Sequence, residues 1–211
     1  MIIWLASYPK SGNTLLRKFL STYFFSKDGT FNFELLKNIK QFPSANLFRK
    51  RGIDVNNRHE VVKNYIKVQE FINNDKKIKF LKTHSGFVKM DGFSFTNLEN
   101  TAAVINIVRD PRDIVISFAH HMSQSVEETT KMINNDYILG DLKDHIPVYV
   151  GSGSFNYNSW KPFDEMKKYM LVKYEDLIED KEKNFAKILH FIKNLTSLNF
   201  EIDSKKIKRT L

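Results

Sequence analysis

The chain has 211 residues, 42% of them hydrophobic and 27% charged, with a formal net charge of +9 and no cysteine. That length supports one sizeable core and is short for two, while the lack of cysteine excludes disulfides, thiol catalysis and cysteine-based metal sites and fits a reducing compartment. No apolar stretch reaches transmembrane length, and residues 1–9 have neither a basic n-region nor a secretory h-region, so the expected location is cytoplasmic.

The first element is an apolar run that predicts a strand over 2–7, followed by a helix over 12–25. Between them lies Ser7-Tyr8-Pro9-Lys10-Ser11-Gly12-Asn13-Thr14. Strand, tight loop and helix together aim backbone N–H groups and a helix N-terminus at an anion. Lys10 adds a mobile charge, Gly12 lets the backbone approach closely, and Thr14 offers a hydroxyl. A terminal phosphate or sulfate of a nucleotide suits such a loop. The pattern is not a Walker A motif, because its lysine precedes the only glycine. Taken alone, Pro9-Lys10-Ser11-Gly12 reads equally well as turn chemistry.

Residues 26–57 are poorly periodic. A less regular helix is expected over 56–74, then a strand over 78–83 that runs into Lys82-Thr83-His84. Residues 85–101 are again irregular and carry Phe87, Phe93 and Phe95, most of them expected in the core and a minority able to line an apolar acceptor pocket. A β-branched run predicts a strand over 103–108, ending at Arg109. Asp110 suits an N-cap and Pro111 a first helical residue, so a helix should span 111–122 with Ser117 two turns in. His120 and His121 diverge by about 100° on that helix and are poor co-ligands. Further helices are expected at 125–134, 158–167 and 180–193, with a strand at 169–174 leading into Tyr174-Glu175-Asp176. The 26–57, 85–101 and Gly151–Ser154 regions are the expected substrate loops and lids. Alternating strands and helices define an α/β class with a parallel sheet. Ligands bind beyond the C-terminal strand ends of such sheets, where Lys10, His84 and Arg109 all fall.

Four of these segments resemble the motifs of sulfotransferases that use 3′-phosphoadenosine 5′-phosphosulfate (PAPS). The loop at 8–15 is similar to the 5′-phosphosulfate loop Y-P-K-S-G-[TN]-T-W, departing only at Leu15, where the family has tryptophan. Residues 109–118 resemble the 3′-phosphate element R-[ND]-P-[RK]-D-x-x-x-S-[YF]. Lys82-Thr83-His84 is similar to the K-T-H motif, and Val172–Leu177 to V-x-Y-E-D-L. The resemblance covers residues 1–195. It implies a parallel sheet flanked by helices, related to P-loop kinases, and sulfuryl transfer from PAPS to a hydroxyl or amine of a small-molecule, glycan or lipid acceptor. His84 would be the base and Lys10 would stabilise the departing 3′,5′-bisphosphate (PAP). Lys10, Ser11, Gly12, Asn13 and Thr14 would hold the 5′ end, Arg109 and Ser117 the 3′-phosphate, and Tyr174 the adenine, with no metal. Family members continue past the equivalent of Leu211 into T-S-F and R-K-G-x-x-G, which closes over the 3′-phosphate. The expectation is therefore one domain, 1–211, lacking that closing segment.

Two other readings compete. A nucleoside or small-molecule kinase would use the same loop against ATP, but G-K-[ST] is missing and only Glu175 and Asp176 could serve a magnesium ion. A non-catalytic nucleic-acid module would explain the basic charge, yet the lysines are spread along the chain and no recognised motif appears. A polyanionic nucleotide accounts for part of the excess.

Overall fold

The run Ile2–Ser7 forms strand β1, and all of it is buried, as a central strand covered on both faces requires. The computed structural model describes residues 1–139, 146, 148–196 and 198–211. After β1 come helix α1 (Asn13–Phe25), a 3-10 turn (Phe33–Asn38), β2 (Lys40–Gln41), α2 (Ala45–Arg49), α3 (Arg58–Lys63), α4 (Tyr65–Asn73) and β3 (Lys79–Thr83). A small hairpin, β4 (Lys89–Met90) and β5 (Phe93–Ser94), precedes β6 (Thr101–Val108), α5 (Pro111–Met122) and α6 (Val126–Asn134). A second hairpin pairs β7 (Ile138–Leu139) with β8 (Val148–Tyr149). The chain continues through α7 (Gly153–Ser159), a 3-10 turn (Lys161–Phe163), β9 (Tyr169–Lys173), α8 (Tyr174–Glu179), α9 (Lys181–Leu195) and α10 (Ser204–Thr210).

Five strands form one sheet in the order β2-β3-β1-β6-β9, with every pairing parallel. Alternate residues of β1 feed opposite layers, following the two-residue period of a strand. Ile3 and Leu5 pack with Phe19 and Leu20 of α1 and with Phe185, Ile188 and Ile192 of α9. Phe19 stacks on Phe185 with ring centroids 3.8 Å apart. Ile2, Trp4 and Ala6 face the other layer, against Phe42, Phe48, Tyr65, Phe95 and Trp160. The buried Trp4 indole is satisfied by Thr101 Oγ1 at 3.1 Å, so its burial leaves no orphaned donor.

Three expectations need correction. The helix over 56–74 is two helices, because the Asn64 N–H reaches Val61 O and its side-chain amide takes Glu60 O, tightening the turn between them. The helix over 158–167 instead starts at Gly153, where Ser152 caps it by accepting from the Phe155 N–H at 3.2 Å. Pro162 lacks an N–H and leaves only a 3-10 turn after Trp160. The 26–57 region is not all loop: β2 extends the sheet at its edge. Phe95 is fully buried and Phe87 and Phe93 pack beside it, so all three serve the core.

Candidate active site

The chain leaves β1 toward β3 on one side and later crosses to β6 on the other, placing the switch in direction at the C-terminal end of β1. Ala6 lies level with Thr83 on one neighbour and Asn106 on the other, so Ser7, His84 and the end of β6 share one edge. A cavity of about 440 Å³ opens there, lined by Lys10, Gly12, Thr14, His84, Arg109, Ser117 and Tyr174. Sequence-distant residues thus converge because each follows a parallel strand.

The loop after β1 has Lys10 at φ 68° and Gly12 at φ 96°, left-handed conformations on either side of Ser11. Among the described residues, the N–H groups of Gly12, Asn13 and Thr14 find no protein acceptor, and the first turn of α1 carries no acid. Free N–H groups, a helix N-terminus and the Lys10 ammonium form an anion cradle. Gly12 is required by packing as well as by φ, since a Cβ there would sit 2.3 Å from Tyr174 Cδ2. Asn13 contributes only its backbone, because its side-chain amide donates to Leu5 O (3.0 Å) and Ser7 Oγ (3.1 Å) and pins the loop to β1. Ser11 is not brought into this cavity. It faces the other side of the loop, where it lines a separate space of about 420 Å³ with Tyr8 and Ile114, and its own N–H is taken by Tyr8 O.

His84 Nδ1 lies 2.8 Å from Ser7 O and 3.1 Å from Ser7 Oγ. A carbonyl oxygen only accepts, so Nδ1 carries the proton and Nε2 keeps its lone pair. Burial, reinforced by the positive charge of Lys82, pushes the imidazole down to about 3, so it is neutral at pH 7. Among the described residues Nε2 makes no hydrogen bond, leaving it available on the cavity wall. The backbone behind it is clamped by the segment that follows the expected lid at Gly151–Ser154. The Asn156 amide donates to His84 O at 3.0 Å, the Trp160 indole to Ser85 O at 3.1 Å, and Phe87 N–H to Ser159 Oγ at 3.0 Å.

Lys82 went unassigned in the sequence, although strand periodicity puts it on the same face as His84. It lines the cavity, donates to Gln41 Oε1 at 3.3 Å, and is lowered to about 8 by burial and then by Arg17.

Arg109 leaves the end of β6 and donates through Nη1 to Lys10 O at 3.4 Å. Its guanidinium carbon sits 4.6 Å from the centre of the Tyr174 ring, and Nη2 is 3.7 Å from Asp113. Its Nε is buried without a partner. Glu175 Oε1 accepts from the Asp110 N–H at 2.9 Å and fixes the corner from which α5 starts. Asp110 caps α5 through the Arg112 N–H at 2.9 Å. Ser117 faces the cavity from α5. Tyr174 backs both Gly12 and Arg109, so the loop and the strand-end arginine lean on one ring. Leu15 is partly buried against the α1 core and does not line the cavity.

Fold and site together define an α/β protein with an anion cradle and a neutral histidine at the carboxyl edge of a parallel sheet. Residues 2–206 match the sulfotransferase domain, and the chain belongs to that family. Rat Sulfotransferase 2A6 is 26% identical over 100 residues, which is 47% of this chain and 34% of that protein. Mouse sulfotransferase SULT7A1, solved with PAP, aligns over 99% of this chain and 62% of its own, with a TM-score of 0.57 and 20% identity. Retinol dehydratase, solved with androsterone and inactive cofactor PAP, aligns over the same shares with a TM-score of 0.60 and 14% identity. The chain therefore spans less than two thirds of these relatives. Among the described residues, no helix is long and apolar enough to cross a membrane.

Proposed function

We propose that this chain catalyses sulfuryl transfer from PAPS to a hydroxyl or amine of an organic acceptor. The carrying observation is that the anion cradle at Lys10–Thr14 and the unprotonated Nε2 of His84 open on one cavity. The donor set fits the nucleotide: three free N–H groups and Lys10 suit the 5′ end, and Arg109 with Ser117 suits a 3′-phosphate, which would also give the orphaned side of the Arg109 guanidinium an anionic neighbour. When bound, PAPS supplies an electrophilic sulfuryl group and a bisphosphate leaving group. His84 Nε2 takes the acceptor's proton, with Nδ1 held by Ser7 O. Lys10 and the loop N–H groups would stabilise the charge that develops at the leaving oxygen, and Lys82 lines the same cavity as a second cation. Tyr174 supports Arg109 through its ring face and would contact adenine. A cysteine-free composition supports a cytoplasmic setting.

Thermal shift with PAP, ADP, ATP–magnesium and an oligonucleotide tests this reading against the kinase and nucleic-acid alternatives. PAP should stabilise most, by about 2.7 kcal/mol at a hundredfold excess over Kd. A larger shift with ATP–magnesium or with the oligonucleotide would overturn it.

A further inference from the structure

The basic residues look scattered along the sequence, but residues 35–51 carry Lys37, Lys40, Arg49, Lys50 and Arg51 and no acid, more than half of the chain's net +9. The fold wraps this stretch beside the active site. A groove of about 460 Å³ is lined by Arg17, Lys37, Lys40, Lys50, Ser44 and Asn46, with no carboxylate and no aromatic ring in its wall. Arg17 is fixed in that wall by donating to Leu36 O (3.1 Å) and Ile39 O (2.9 Å). Among the described residues, Lys37 pairs with Glu34, whereas Lys40 and Lys50 have no carboxylate partner. Gln41 lines both this groove and the catalytic cavity, and its Oε1 accepts from Lys82, so positive groups run continuously from His84 outward.

We propose that the groove over residues 17 and 36–50 binds the body of a negatively charged, hydroxyl-bearing acceptor, an acidic oligosaccharide, while one of its hydroxyls reaches His84. This rests on the sulfuryl-transfer reading, which requires a nucleophilic hydroxyl or amine at that end. A single small anion would engage only one part of a groove whose cations extend past Gln41. Single-stranded nucleic acid is normally held by bases stacking on aromatic side chains, and this wall has none. Ser44, Asn46 and Gln41 instead offer the hydroxyl and amide partners that saccharides use. Complementary charge along the groove steers and orients such a chain.

The test is calorimetric titration of the protein, with PAP present, by a hyaluronan hexasaccharide of alternating glucuronate and N-acetylglucosamine. The uncharged N-acetylglucosamine hexamer serves as its counterpart. The acidic hexasaccharide should bind at least tenfold more tightly, and less tightly when salt is raised from about 0.1 to 0.5 M. The exposed double variant Lys40→Glu/Lys50→Glu should lose at least tenfold in that affinity and keep its PAP Kd within twofold. Equal binding of the two saccharides, a salt-independent affinity, or an unaffected double variant would overturn the proposal. So would tighter binding of a thymidine octanucleotide or of phosphatidylserine vesicles than of the hexasaccharide. Failure of PAP itself to bind would instead remove the sulfuryl-transfer reading and leave the saccharide result to stand alone.

Discussion

His84 Nδ1 and the main-chain oxygen of Ser7 lie 2.8 Å apart, between the ends of the central strand β1 and its neighbour β3. That contact fixes the imidazole tautomer, because the carbonyl has no proton to give. A backbone atom does the orienting, so no side-chain substitution at Ser7 removes it. The Ser7 hydroxyl is a secondary contact at 3.1 Å.

His84→Ala should lower turnover by about 10² to 10⁴ and leave the PAP Kd within twofold. Ser7→Ala should cost far less turnover, since the carbonyl remains. Single-turnover rates with a competent acceptor and PAP titrations check both; near-normal turnover in His84→Ala would place the base elsewhere.

The same imidazole predicts a pH dependence of stability. Its pKa falls from 6.5 unfolded to about 3 folded, through burial first and Lys82 second. The unfolded chain therefore binds an extra proton in that window, and stability declines as pH drops from 6.5 toward 3. Asp110, lowered from 3.8 to about 2 by hydrogen bonds from Arg112, loses its contribution mainly as pH falls from about 4 toward 2, and so below pH 4.5. Urea midpoints at pH 6.5 and 4.5 should differ less in His84→Asn than in the wild type. Equal differences would show that His84 is not the group responsible.

Gly12→Ala should destabilise the fold through two separable causes. A left-handed φ of 96° costs an alanine about 1–2 kcal/mol, and its Cβ would meet the Tyr174 ring at 2.3 Å. In a Tyr174→Ala background the ring clash should disappear, leaving the backbone cost and a tight approach of the Cβ to Ile107 Cδ1 at 3.2 Å. Chemical denaturation of the four proteins of this cycle measures the difference. An identical penalty in both backgrounds would mean that the ring yields without cost.

Arg109→Lys should pull the PAP-induced melting shift down toward that of ADP, with the ADP shift itself changing little. A lysine cannot reproduce a fork that stacks on Tyr174 while presenting donors to a phosphate. Ser117→Ala should act in the same direction and by less. Retained discrimination between PAP and ADP in Arg109→Lys would remove Arg109 from the 3′-phosphate site.

Sequence alone located four of the five strands of the central sheet, the loop between β1 and α1, and the residues that follow those strands to the cavity. Hydrophobic period and capping chemistry are local signals, and Asp110 before Pro111 or Gly12 before α1 can be read within a few residues. It also named Lys10, His84, Arg109 and Ser117, because each sits beside or within a short motif. What it could not show depends on contacts between distant segments. Only the packed sheet turns the Asn13 side-chain amide onto Leu5 O and Ser7 Oγ, leaving its backbone at the cavity, and places Ser11 behind the loop. Only tertiary contact makes helix α7 and Trp160, just beyond the expected lid at Gly151–Ser154, the clamp on His84 and Ser85, since Asn156 and Trp160 reach acceptors more than seventy residues away. The basic groove is likewise invisible in one dimension. Arg17 and Lys82 are far from Lys40 in sequence, and it is the short edge strand β2 pairing with β3 that carries Gln41 to Lys82 and brings their charges to one wall. Local free energies set the elements, whereas long-range pairing and burial decided which side chains face the site.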